Sequence, residues 1–306
     1  MYFGIEIGGS KLQLGLGEGD GKLASLWRGT VDVAAGADGI RRQITQAVPE
    51  LLSQAKLDRS QVQGVGIGFG GPVDDATRTV IKSHQIEGWD NSPLASWMED
   101  LLGWPAVLGN DADVAGLAEA LFGAGKGLSP IFYVTIGSGI GGGLIIDGEI
   151  YRGSGRGAAE IGHLRLPGLQ GGSAILEQLA SGWGMQQLLL ALSDGTLQAT
   201  AAEIATQADR GDRTAWDVLD FALSRLAEGI CQMIALLCPR RIVIGGGVSL
   251  MGEKLLFAPL RRRVAAHVFK PFADCYDIVP AVLGEEVVVH GALALAAKRL
   301  AVAKTA

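Results

Sequence analysis

Phe3-Gly-Ile-Glu-Ile-Gly-Gly-Ser-Lys-Leu-Gln-Leu-Gly-Leu16 is a β-rich run, a glycine cluster and a second run that turns back. Phe3, Ile5 and Ile7 alternate with Gly4 and Glu6, the period of a strand with one apolar face. Gly8-Gly9-Ser10 supplies the turn, and Lys11 to Leu16 reads as a return strand closed by Gly17-Glu18-Gly19-Asp20-Gly21. The arrangement recurs at Ile131 to Ile136, Gly137-Ser138-Gly139 and Gly143 to Ile146, closed by Asp147-Gly148. Two more runs end in glycine clusters: Val62 to Phe69 before Gly70-Gly71-Pro72, and Arg241 to Ile244 before Gly245-Gly246-Gly247. The two hairpins read as an internal duplication, two halves of one architecture rather than an array.

Helical segments alternate with these strands. Gly39 to Leu57 carries Ile40, Ile44, Val48, Leu51 and Leu52 at a spacing near 3.6. Ala112 to Phe122, Leu176 to Leu192 and Thr214 to Leu237 are further helices, the last stopped by Pro239. Strand and helix alternation predicts an α/β protein with largely buried sheets. The domain division is expected near Asp111 to Asp113: a small N-terminal domain of residues 1–112, joined by a C-terminal helix over 290–306, and a larger domain of 113–289.

Composition narrows the function classes. Glycine is 46 of 306 residues, about twice the usual share of ~7%. With 48% apolar and 19% charged residues the chain is not disordered, so the glycine sits inside folded structure. A net charge of −6 gives no attraction for nucleic acid or an anionic membrane, and points to a small-molecule partner. Cys231, Cys238 and Cys275 are an odd set without a disulfide framework, which fits the cytoplasm. Gly127 to Ile146 carries no charge over 20 positions, but its six glycines read as strand, turn, strand rather than a membrane span.

Gly66, Gly68, Gly71 and Gly137, Gly139, Gly142 both spell G-x-G-x-x-G. A dinucleotide fingerprint needs a helix to open at the glycines, whereas Pro72 and a polar loop follow the first and a return strand follows the second. A Walker A motif is absent. The pair of hairpin turns, with the strand-turn-helix at Gly245, offers backbone N–H groups able to cradle phosphate.

Phe3 to Lys11, Gly66-Ile-Gly-Phe-Gly-Gly-Pro72, Gly109-Asn-Asp-Ala112, Thr135 to Gly143 and Glu160-Ile-Gly-His163, taken in this order, resemble the ROK family of bacterial sugar kinases and repressors. The resemblance implies a two-domain actin-like, ribonuclease H-like or Hsp70-type ATPase fold that closes over a cleft. It also implies ATP-dependent phosphorylation of a hexose hydroxyl, glucose-like and at O6, with an N-acetylhexosamine kinase (ManNAc or GlcNAc) or a non-catalytic sugar-binding regulator as the alternatives. The family's repressors carry a helix-turn-helix before the first glycine turn, which here begins at Gly8. A homodimer is the family expectation.

Residue by residue, the resemblance makes Asp111 the base, although an Asp just before a helix also suits an N-cap. It assigns Gly71, Asn91, Asn110, Glu160, His163 and Glu177 to the sugar, and Gly8, Gly9, Ser10, Lys11, Thr135, Gly137, Ser138, Gly139, Gly245, Gly246 and Gly247 to ATP. Trp89, beside Asn91, suits either a sugar ring or the core. Glu6 stands where such kinases carry the Asp that holds Mg²⁺ through water; the ordinary reading is an exposed strand glutamate. The family usually follows Glu-x-Gly-His with a three-cysteine zinc element. Here Gly168, Gln170 and Ile175 replace all three cysteines, so no zinc is expected, and packing or hydrogen bonds must instead fix the loop of Glu160 and His163.

Overall fold

The computed structural model describes residues 1–83, 86–169 and 171–302; Gln170 and the last four positions of the expected C-terminal helix lie outside them. The chain divides into two compact units, one of residues 1–127, 143–158 and 282–306, the other of 128–142 and 159–281. The sequence pattern alone expects the break at 112. The difference arises because the helix opened by Asp111 packs along the C-terminal helix and stays with the first unit.

The first unit opens with β1 (Tyr2–Ile7), β2 (Lys11–Gly17) and β3 (Ser25–Thr30), followed by α1 (Gly36–Ala55) and β4 (Val65–Phe69). The short β5 (Val73–Asp74) and β6 (Thr79–Val80), then α2 (Leu94–Leu102), β7 (Ala106–Asn110) and α3 (Asp111–Leu121), complete its first part. The sheet order is β3-β2-β1-β4-β7, antiparallel through the hairpins and parallel from β1 to β7. Phe3, Ile5 and Ile7 belong to one buried cluster with Ile40, Ile44, Val48 and Leu51 of α1, as the alternation predicted.

Along the chain follow β8 (Ile131–Ile136), β9 (Ile140–Ile146), β10 (Glu149–Ile150), β11 (Arg165–Pro167) and β12 (Ser173–Ile175). Then come α4 (Leu176–Ala180), α5 (Gly182–Leu192), α6 (Ala201–Asp209), α7 (Arg213–Leu237), β13 (Arg241–Gly245), α8 (Ala258–His267), β14 (Asp277–Pro280) and α9 (Val287–Val302). A second sheet has the order β10-β9-β8-β13-β14, with β8, β13 and β14 parallel. The fold is α/β with mixed sheets.

The opposite face of the first sheet is floored with glycine. Gly4, Gly15, Gly66, Gly68 and Gly109 share it by register. A methyl group at Gly4 would sit 2.6 Å from the carbonyl oxygen of Val289, and one at Gly66 would run into that of Ala292. Helix α9 therefore lies with its backbone directly on the sheet, an approach no larger residue permits.

One expected helix is broken. Leu176 to Leu192 splits at Ser181, which is buried and accepts the Gly184 N–H at 3.0 Å, capping α5. The break turns α5 so that Gly182 N–H donates to Gly137 O at 2.8 Å and Trp183 N–H to Ser138 O at 3.3 Å.

Candidate functional site

In the first unit the carboxyl ends of β1, β4 and β7 meet, the place where parallel sheets commonly bind ligands. Gly8 N–H donates to Lys11 O at 2.9 Å, closing the turn that carries Gly9 and Ser10. Glu6 is 7% exposed, so it is not the solvated strand glutamate of the ordinary reading. Its Oε1 lies 3.2 Å from Lys11 Nζ, while Oε2 is buried without a hydrogen bond. Burial pushes its pKa up to about 7; Lys11 opposes this, and the nearby charges of Asp111 and Glu285 add to it. Lys11 also donates to Glu285 O at 3.0 Å, which fixes its ammonium at this cluster.

Asn110, not Asp111, is the N-cap of α3: its Oδ1 accepts N–H bonds from Ala112 at 2.9 Å and Asp113 at 3.3 Å. Its Nδ2 donates to Gly71 O at 3.0 Å. Asp111 is the first helical residue, and its Oδ1 accepts from Ala112 N–H at 2.8 Å. A methyl group built on Gly70 would lie 3.4 Å from both Asp111 Oδ2 and Ile7 O, which places the carboxylate beside the end of β1. Asn91 is exposed, with φ at 53°. Trp89 is fully buried edge-on to Phe69 and Trp97, with the Arg41 guanidinium over its ring, so its indole is a core anchor.

The second unit gathers the other predicted residues. Gly137 N–H donates to Gly139 O at 2.9 Å across a turn whose Ser138 is exposed; Thr135 lies just before it on β8. Glu177 Oε2 accepts the Ile140 N–H at 2.8 Å, and a methyl group at Gly139 would strike that carboxylate. Its carboxylate thus braces the turn from behind.

Glu160 and His163, both exposed, flank a 3₁₀ turn over Ile161–His163, in which positions three apart fall in line. A Cβ on Gly162 would meet Ile140 O, and one on Gly142 would meet Ala159 O, so glycine lets this segment cross β9. The stretch where the family carries cysteines is the β11–β12 hairpin, with Gly168 at its turn and Ile175 at its end; Gln170 lies outside the described residues. Leu176 N–H donates to Leu164 O at 2.8 Å, and the Leu164 and Leu176 side chains pack over Gly229 of α7. A backbone ladder and apolar packing hold the loop that thiolates would otherwise fix. Gly245 is buried under Tyr133; Gly246 (φ 82°) and Gly247 are exposed, and a 3₁₀ turn rather than an α-helix follows them. That turn and α6 line a cavity of about 540 Å³ that includes Ala202, Ala205, Arg210, Gly247, Val248 and Met251.

Two residues escaped the sequence reading because their partners are far apart in the chain. Arg152 is 10% exposed and donates to Asp75 Oδ2 at 2.9 Å, to Val73 O at 3.1 Å and to Asp113 Oδ2. Burial works against its charge, but Asp113 and Asp75 outweigh it and hold its pKa above the arginine norm. Fully buried Glu119 accepts N–H bonds from Ala124 at 2.7 Å and from Val282 and Leu283 at 2.9 Å each.

Residues 2–299 match the ROK family. A glucokinase of Thermotoga maritima is 30% identical, over 97% of each chain. The N-acetylgalactosamine kinase AgaK of Shewanella sp. is 30% identical over 88% of each chain. The crystal structure of a ROK family glucokinase from Streptomyces griseus, in complex with glucose and AMPPNP, superposes with a TM-score of 0.77 at 30% identity, covering 96% of this chain and 98% of that one. On sequence and architecture alike, the chain belongs to the ROK family and has the α/β, actin-like fold of its kinases.

Proposed function

We propose that this protein transfers the γ-phosphoryl group of ATP to a hexose hydroxyl, with O6 of glucose as the first candidate. The observation that carries the reading is the placement of Asp111: Asn110 takes over the capping of α3, and the Asp111 carboxylate stands beside the end of β1 and the Gly8 turn. Asp111 accepts the proton of the attacking hydroxyl, and a base so positioned contributes about 10² to 10⁴ in rate. Asn110 retains one Nδ2 hydrogen for a neighbouring hydroxyl; Gly71, Asn91, Glu160, His163 and Glu177 complete the sugar contacts.

The turns closed by the Gly8 and Gly137 N–H groups present the amides of Gly9, Ser10, Ser138 and Gly139, with Lys11 and Thr135, to phosphate oxygens, since phosphoryl transfer is catalysed mainly by positioning and charge stabilisation. Gly245, Gly246 and Gly247 and the 540 Å³ cavity receive the adenosine. Mg²⁺, when bound, neutralises charge on the phosphates. The buried Oε2 of Glu6, which has no hydrogen bond, suits a water-mediated hold on the ion, and no zinc is assigned.

The relationship to an N-acetylgalactosamine kinase favours an N-acetylhexosamine as the second substrate reading. ADP release measured over a panel of hexoses and N-acetylhexosamines with Mg-ATP tests both. Turnover on glucose above all supports the first, and a preference for an acetylated amino sugar the second. Sugar binding without turnover on any member would overturn the kinase reading in favour of a regulator.

A further inference from the structure

Resting on that reading, we propose that Arg152 is a positioning residue that fixes Asp111 relative to the segment Gly71–Val73. One planar guanidinium joins three stretches of the first unit. It donates to Val73 O at 3.1 Å, to Asp75 Oδ2 at 2.9 Å and to Asp113 Oδ2 in the first turn of α3. On the other side of Asp111, Asn110 Nδ2 donates to Gly71 O at 3.0 Å. The two links close a ring: Gly71 to Asn110, along α3 to Asp113, through Arg152 to Val73, and back along the chain to Gly71. Asp111 lies inside that ring, held at Asn110 before it and at Asp113 after it.

The chemistry of the parts suits this role. The first turn of a helix has N–H groups without intrahelical partners and is the part most prone to fray. A rigid fork of donors holds two carboxylates and a carbonyl in fixed directions, which an ammonium on a flexible stem does not. A buried ion pair of this kind contributes more to geometry than to net stability, because desolvation offsets much of the attraction. Around it the chain is pinned again, with Asp75 N–H donating to Gly155 O at 3.0 Å. Displacement of a reacting group by about 1 Å can cost 10²-fold in rate, so a residue that touches no substrate still governs turnover.

The test compares Arg152→Met, Arg152→Lys and the double variant Asp113→Asn/Arg152→Met with the wild type. It combines ADP-release kinetics with hydrogen–deuterium exchange of the ligand-free proteins. Arg152→Met should lower kcat about 10²-fold, raise KM for the sugar and leave KM for ATP unchanged. It should also speed exchange of the amides of residues 71–75 and 110–115 while leaving those of 137–142 as they are. Lysine should not rescue turnover. The double variant, which also removes the buried Asp113 charge that Arg152 faces, should recover stability but not kcat. A kcat near the wild-type value in Arg152→Met or in the double variant, or unchanged exchange in both segments, overturns the proposal. A wild-type protein that turns over no sugar defeats the functional reading separately, and the exchange experiment still decides whether Arg152 holds the ring.

Discussion

The glycine turns at residues 8–10 and 137–139 differ in what surrounds them. Lys11, Glu6 and Asp111 stand around the first, and the Glu6 carboxylate is held near the point of neutralisation by burial. At the second, one carboxylate oxygen of Glu177 accepts the Ile140 N–H, and the carbonyls of Gly137 and Ser138 accept from α5. Two turns of one kind of sequence thus divide the proposed work. Proton transfer and charge sit with the first, while the second offers a braced backbone.

That contrast breaks most sharply at Asp111. Asp111→Asn should keep sugar binding, measured by calorimetry, and lose about 10² to 10⁴ in kcat; near-normal turnover would remove the base from the first turn. The next effect lies in pH. Glu6 has a folded pKa of about 7 against an ordinary 4.5, so its contribution to stability is fully present below pH 4.5 and is lost as pH rises through 7. Glu6→Gln cannot ionise. In urea melts of the ligand-free proteins, its stability relative to wild type should therefore rise by about 3 kcal/mol between pH 4.5 and 8. A flat difference would mean that Glu6 is not desolvated.

Smaller effects separate brace from cradle at the second turn. Gly139→Ala drives a methyl group into the Glu177 carboxylate and should cost about 1–3 kcal/mol in denaturant melts. Gly137→Ala meets nothing within 4 Å. It should leave stability unchanged and raise KM for ATP by up to about tenfold, because the methyl group enters the space the bare turn leaves for phosphate, at a cost of about 1.4 kcal/mol. Equal stability losses in the two variants would erase the distinction.

The strands were legible because their signals are local. The apolar run Ile131 to Ile136 coincides with β8, and Phe3 to Ile7 differs from β1 by one residue. The break at Ser181 was hidden inside a continuous apolar pattern, since the carbonyls that draw α5 aside lie more than 40 residues earlier. The capping of α3 was open between neighbours: Asn110 and Asp111 both suit an N-cap, and only the bond to Gly71 O shows why Asn110 takes it. Arg152 gave no signal, because its carboxylates lie 77 and 39 positions away. The β11–β12 hairpin supplies what the missing cysteines left unexplained, through a backbone ladder that side-chain identity does not announce.

The glycine floor under α9 has a consequence for the order in which the protein can be built. Residues 2–110 supply the five strands of the first sheet, but the helix that covers one of its faces begins only at Val287. At about 5–20 residues per second, roughly 10–30 s of synthesis separate the end of α3 from α9. Throughout that interval the second unit emerges and can fold, while Gly4, Gly66 and Gly68 present bare backbone to water. A nascent chain can thus fold the second unit before the first is sealed, and the first unit becomes a closed structure only once α9 has emerged.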